Sequence, residues 1–279
     1  MFFWLKIGLM LAASVMVRPA AMGQSMTVLA MILAAMAFGC HVAESGGKSL
    51  SFPVTNLALT VMVLITFMWM YFWILATLKV SRHLDYVAKG ALAHIALMLA
   101  FGVILSDEKS QRAYFRGFIV LITLPIVSYI VTLTLSHWKS YESLYLGRFL
   151  IKGYEEGEDT GSVYFPFTPV YTFVNLGGAS FPRLLDVFRE SGIAQAFFAW
   201  AFIASNVLWK RAFLIKLLLI LGMVATISTM AMALLPMILF LGLINRSRTF
   251  NRAHLVTKTA FLLVVTAGIG YGALKAAAN

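Results

Sequence analysis

Two arginines, Arg183 and Arg189, stand in the stretch FPRLLDVFRESGIAQAFFAW, where a proline-led polar segment runs straight into a long apolar one. A guanidinium group stays charged at any working pH, and its planar fork donates paired hydrogen bonds to phosphate oxygens. Ser191-Gly192 opens the apolar segment, and as the start of a helix its backbone N–H groups add positive potential toward an anion. These residues together could recognise a phosphate-bearing group at a membrane surface. On residue type alone a plainer account holds and is preferred: contact with lipid headgroups, or pairing with Asp186 and Glu190. Gln195, one helical turn further on, has an amide suited either to a sugar or phosphate oxygen or to tying two helices together.

The elements that must position these groups follow from composition. Of 279 residues, 61% are hydrophobic and only 12% charged, about half the charged share of a soluble domain. The charges fall in short clusters between apolar runs long enough to cross a hydrocarbon layer of roughly 30 Å. This excludes soluble enzymes and DNA-binding proteins. The net charge of +11 reads as topology signal rather than a nucleic-acid footprint, because no basic stripe with interleaved aromatics is present.

Apolar windows predict about nine crossings, near residues 2–17, 25–41, 54–78, 90–106, 117–136, 192–209, 212–227, 229–244 and 255–274. The seventh and eighth are separated only by Thr226-Ile227-Ser228-Thr229 and could form one hairpin or broken helix. The runs are continuously apolar rather than alternating, so the expected class is all-α, a polytopic transmembrane helical bundle and not a barrel. The first segment has the basic start of a secretory signal but is expected to be a retained span, since RPAAMGQ leads directly into another apolar run.

Lys109, Arg112 and Arg116, then Lys210 and Arg211, then Arg246, Arg248 and Arg252 fall on one face, which the positive-inside rule assigns to the cytoplasm. The N-terminus is then cytoplasmic. The chain divides into N-terminal membrane helices (1–136), one large extracytoplasmic loop (137–190) and C-terminal membrane helices (191–279). Lys79, Arg82 and Lys89 break the rule by falling outside, either through a miscounted span or because they bind an anionic headgroup. Cys40 has no disulfide partner, and the acidic run at Glu155, Glu156, Glu158 and Asp159 lacks calcium-loop spacing. His94 and His254 show no ligand spacing, so no metal and no cofactor is expected.

The segment PRLLDVFRESGIAQAFF resembles the loop-to-helix signature of Wzy-type O-antigen and capsule repeat-unit polymerases, within the O-antigen ligase and polymerase superfamily. That signature runs Arg-x-x-Gly-x-Phe, then an acidic residue, Pro or Ser, Gly and an apolar helix. The likeness covers Arg183, Phe188, Arg189, Glu190, Ser191, Gly192 and Gln195, with Asp186 where the family has glycine. SDEKSQRAYFRGFIVLITLPIVSYIV is similar to the family's cytoplasmic loop and following helix, and LLLILGMVATISTMAMALL to its Thr/Ser-broken apolar run. Together these cover about half the chain. Members continue with further helices, so the resemblance implies a chain short at its C-terminus.

The resemblance implies a glycosyltransferase of the bacterial inner membrane. It would polymerise undecaprenyl-diphosphate-linked repeat units of O-antigen, capsule or exopolysaccharide, in company with other polysaccharide-assembly membrane proteins. Arg189 and Arg183 would stabilise the diphosphate leaving group, with Arg148, Lys79 and Arg82 as secondary binding residues. Glu190 would accept the proton of the acceptor hydroxyl, although a helix N-terminal charge is its commoner role. His137 would serve as a base or a hydrogen-bond donor to sugar, although a place in the interfacial belt beside Trp138 is the commoner role. Tyr164, Phe165, Phe167, Tyr171 and Phe173 would stack on sugar faces or anchor the loop at the interface. Three alternatives stand: a ligase-type transferase, a non-catalytic multispan transporter of lipid-linked glycan, and an inactive fragment that only assembles with other membrane proteins. The predicted sidedness has a direct check: a Ser162→Cys variant should react with an impermeant thiol reagent added outside the cell, and labelling only from the cytoplasmic side would overturn the topology.

Overall fold

The computed structural model describes residues 2–16, 26–46, 84–151, 159–176, 179–188, 191–209 and 212–227. Within them lie α1 (Phe2–Met16), α2 (Thr27–Ser45), α3 (Leu84–Leu105), α4 (Glu108–Ser136), the single turn α5 (Tyr141–Leu144), α6 (Ser191–Leu208) and α7 (Phe213–Ala225). Among the described residues, α2, α4 and α6 are long and apolar enough to cross a membrane, and α1, α7 and the second half of α3 are shorter apolar helices. The protein is thus mostly helical, with candidate membrane-spanning helices as expected. The crossings expected near 54–78, 229–244 and 255–274 lie outside the described residues.

Helix α4 begins earlier than its apolar window because a cap, not hydropathy, sets its start. Asp107 Oδ2 accepts hydrogen bonds from Ser110 N (2.9 Å) and Ser110 Oγ (2.6 Å), satisfying a donor that the first turn leaves free. The polar turns from Glu108 to Arg116 are therefore helical too, and the 29 residues extend about 43 Å.

The expected all-α class needs correction. The segment 137–190 is not simply a loop: it contains a four-stranded antiparallel sheet in the order β1-β2-β3-β4. The strands are β1 (Tyr145–Ile151), β2 (Asp159–Tyr164), β3 (Thr168–Leu176) and β4 (Ala179–Leu184). The reason is local. The segment is rich in Tyr, Phe, Val and Thr, residues that fit a pleated surface, and strands of six to nine residues are too short to register in windows sized for a membrane crossing. Arg148 pairs with Ser162 across β1 and β2, and Val170 with Leu184 across β3 and β4. Pro182, which has no N–H to donate, occupies the edge strand β4.

The chain forms two compact units, with the division inside α4 between Val120 and Leu121. In the first, α1 packs on α2 and α2 on α3. Ala13, Ala30, Ala34 and Ala37 are buried in these contacts, and their small side chains let helix backbones approach closely. Ile7, Met10, Ile104 and Tyr114 form a neighbouring cluster, and Tyr114 OH lies 2.6 Å from Ser14 Oγ.

In the second unit α4, α6 and α7 meet around Gly222. A Cβ at that position would run into Ile126 Cδ1 of α4 and come within 3.1 Å of Phe198 Cε2 of α6. The sheet docks on the last turns of α4 through hydroxyl groups. Phe167 N donates to Ser128 Oγ (3.1 Å), Ser128 Oγ lies 2.8 Å from Thr168 Oγ1, Thr168 Oγ1 lies 2.6 Å from Thr132 Oγ1, and Thr132 Oγ1 donates to Phe165 O (2.8 Å). With each hydroxyl donating to the next, one unbroken series runs from a backbone N–H to a backbone carbonyl and leaves none of its members without a partner. Tyr129 OH adds a bond to Pro182 O at 2.7 Å.

Thr168→Val keeps the shape of the side chain but interrupts this series where all three hydroxyl-bearing residues are buried. It is expected to cost about 1–3 kcal/mol. Thermal unfolding of the purified protein in detergent measures this, and an unchanged midpoint would mean that the hydroxyls are solvated independently.

Candidate functional site

The junction from β4 through a tight turn into α6 carries Arg183 and Asp186. Alternation along β4 sends Leu184 into the core, where Leu184 and Leu185 are both fully buried, and Leu185 N donates to Pro169 O at 3.0 Å. Arg183, on the other face, is half-buried. Its Nε donates to Thr226 O at 2.8 Å, and its Cζ sits 5.8 Å from the centroid of the Tyr171 ring. Thr226 caps the C-terminus of α7, where the unpaired carbonyls carry partial negative charge, so a cation is favoured there. The ring face of Tyr171 adds cation–π attraction. Among the described residues no hydrogen bond ends on the two Nη groups, so the outer edge of the fork is not occupied by an acceptor from them.

Asp186 follows with φ of 63°, in the left-handed region that Asp tolerates better than most residues. The turn thus has the backbone conformation that glycine adopts most readily, although the residue is not glycine. The side chain is 1% exposed; Oδ1 accepts from Val187 N at 2.6 Å, and Oδ2 has no partner among the described residues. Burial pushes its carboxyl well above the ordinary 3.8, outweighing the opposite pull of the Val187 N–H. Beyond the turn, Phe188 stacks on Phe197 of α6 with centroids 4.5 Å apart, which ties the end of this segment to that helix. Gln195 is fully buried with neither amide atom hydrogen-bonded among the described residues.

Of the residues expected to act, Arg189, Glu190, Lys79 and Arg82 lie outside the described residues. Arg148 is exposed on β1, and His137 is exposed just past the end of α4, its Nδ1 3.1 Å from Leu133 O. No described hydrogen bond or ion pair links either of them to Arg183. Reading the sequence missed Thr226 and Tyr171 as the groups that hold Arg183, since neither a backbone carbonyl nor a ring distant in the chain leaves a sequence signal.

A second polar group went unread in the first unit. Lys6 is 1% exposed, with Nζ 2.7 Å from Glu44 Oε2, 3.3 Å from His41 Nδ1 and 5.1 Å from the Phe3 ring centroid. The signal was available, because a lysine inside an apolar run needs a partner within the protein. Asp107 belongs to the same electrostatic neighbourhood. Burial pushes its carboxyl up, but the Ser110 hydrogen bonds outweigh that and hold it below the usual range.

Searches of protein-family models, curated proteins and solved structures find no match to this chain.

The buried Asp186 has a consequence for stability. A carboxyl whose value is raised in the folded state resists ionisation there, so it destabilises the fold increasingly as pH rises above 3.8 toward the folded-state value. Asp186→Asn stays neutral and keeps the acceptor for Val187 N. It should therefore gain on the wild type in thermal unfolding between pH 4.5 and pH 7.5, and an equal difference at both values would show that the carboxyl is not held neutral by burial.

Proposed function

We propose that this chain is a membrane glycosyltransferase of the repeat-unit polymerase type, acting at the outer face of a bacterial cytoplasmic membrane with its N-terminus in the cytoplasm. The observation that carries the reading is Arg183, held through Nε and its ring contact at a strand-to-helix junction, with both Nη groups unclaimed by the described residues. A pre-positioned fork of this kind suits the oxygens of a diphosphate. The left-handed turn at Asp186 is a further support, because it supplies the conformation for which the polymerase signature uses glycine.

In this reading the bond between the anomeric carbon and the carrier diphosphate breaks, the acceptor hydroxyl oxygen bonds to that carbon, and its proton passes to Glu190. Negative charge grows on the diphosphate as the bond breaks. Arg183 and Arg189 then stabilise the transition state more than the ground state, which is the condition for acceleration. Transfer of finished glycan to a different acceptor, the ligase variant, uses the same leaving group and differs only in what supplies the hydroxyl. The buried Lys6, with His41 and Glu44, favours a second reading as a transporter of lipid-linked glycan, since transporters place polar groups inside the helical bundle.

The test is complementation of a polymerase-deficient strain, followed by glycan-ladder analysis and an immunoblot of membranes. Arg189→Ala should abolish long chains, and Arg183→Ala should lower polymerisation by about 10²–10³-fold, the usual loss when one such donor is removed. Membrane insertion should stay intact in both. Full-length ladders from both variants would refute the enzyme reading, and loss of export with polymerisation intact would favour the transporter.

A further inference from the structure

The turn between β2 and β3 exposes two large rings, Phe165 at 49% and Phe167 at 78%, on a sheet whose interior is closed by Leu144, Tyr164 and Val170. The depth at which this turn is attached to α4 makes the exposure informative. The uncharged part of α4 runs over residues 117–135, about 28 Å of helix, which matches a hydrocarbon layer of roughly 30 Å. Beyond it come Ser136, His137, the exposed Trp138 and Lys139, a composition suited to the headgroup region. The turn is bonded to Ser128 and Thr132, seven and three residues before Leu135, and hence about 10 Å and 5 Å inside that layer.

Backbone can sit at such a depth only if its polar groups are satisfied by protein. At this turn every N–H and the Phe165 carbonyl are satisfied without water: Phe165 N donates to Leu144 O at 2.7 Å, Phe165 O accepts from Thr132, Phe167 N donates to Ser128, and Pro166 has no N–H. The surface of α4 at the same level is apolar and exposed as well. Leu124, Val127 and Val131 form a stripe at helical spacing, and Val127 adjoins the Ser128 that holds the turn.

We infer that the β2–β3 turn is a re-entrant lipid-contact element, with Phe165 and Phe167 immersed among the acyl chains of the leaflet at the C-terminal end of α4. The sheet is thereby held by the bilayer as well as by the helix. This stands independently of the glycosyltransferase reading.

Nitroxide depth measurements in nanodiscs test it, using Cys40→Ser protein that also carries Phe167→Cys, with Leu124→Cys and Thr160→Cys as hydrocarbon and aqueous references. At Phe167→Cys the ratio of oxygen to nickel-chelate collision rates should match that at Leu124→Cys within about twofold and exceed that at Thr160→Cys by about tenfold, because apolar oxygen enters lipid and the chelate does not. High chelate accessibility would place the turn in water. Low accessibility to both reagents would mean that another protein surface covers it, and either result overturns the inference. Protein without substitutions supplies a second measurement: a lipid with a diazirine at mid-chain should leave adducts on the peptide containing Phe165 and Phe167. Adducts confined to the helices would likewise reject it.

Discussion

A backbone group inside hydrocarbon must find its hydrogen bond within the protein, and the second unit is organised around meeting that demand where a sheet joins a spanning helix. Three side-chain hydroxyls, Ser128 and Thr132 from α4 and Thr168 from β3, carry hydrogen bonds from the amide of Phe167 to the carbonyl of Phe165. Tyr129 makes a further attachment, at Pro182 of the edge strand β4. The position of β4 relative to α4 is therefore set at two points of the sheet, the β2–β3 turn and β4 itself. Arg183, the next residue after Pro182, inherits that position and is tied a second time through Thr226 at the end of α7. Disturbing the hydroxyl series would act on the arginine without touching it.

Close packing does the rest of the positioning. Gly222 lets α7 approach α4 and α6 to a distance that a larger side chain would prevent, which brings the C-terminal end of α7 within reach of Arg183. In the first unit buried alanines have the same effect on α1, α2 and α3. Both units also hold an ionisable group away from water, and they deal with it differently. Lys6 keeps a carboxylate partner that is itself 36% exposed, so part of the pair remains solvated and the desolvation cost is limited. Asp186 has one backbone donor among the described residues and meets the cost by favouring its neutral form.

These features together describe a cationic fork at a strand-to-helix junction, held from three directions and adjoining a helix able to span a membrane. Such an arrangement suits an anionic headgroup or a carrier diphosphate, and the catalytic proposal adds a reaction to that recognition. The proposed reaction comes from the resemblance of PRLLDVFRESGIAQAFF to the polymerase signature, and Arg183 supplies the chemistry of recognition. The Lys6, His41 and Glu44 group, in a different unit, plays no part in it.

Membrane character, the approximate position of α2, α4 and α6, and the choice of Arg183 as a residue of interest were legible in the chain itself. Length and continuity of apolar runs determine whether a helix can span lipid, and guanidinium chemistry is a property of the residue wherever it lies. The sheet was not legible, because its strands are shorter than a membrane window and their Tyr, Phe and Val content also fits an interfacial loop. The polar extension of α4 ahead of its apolar window was not legible in hydropathy, because a cap at Asp107 carries the helix through polar residues. What tertiary structure alone decided was partnership: Thr226 for Arg183, Thr168 for Ser128, Glu44 for Lys6. Those pairs are separated by 43, 40 and 38 residues, and which of many hydroxyls, carbonyls or carboxylates meets a given donor depends on how helices and strands pack, which no local pattern encodes.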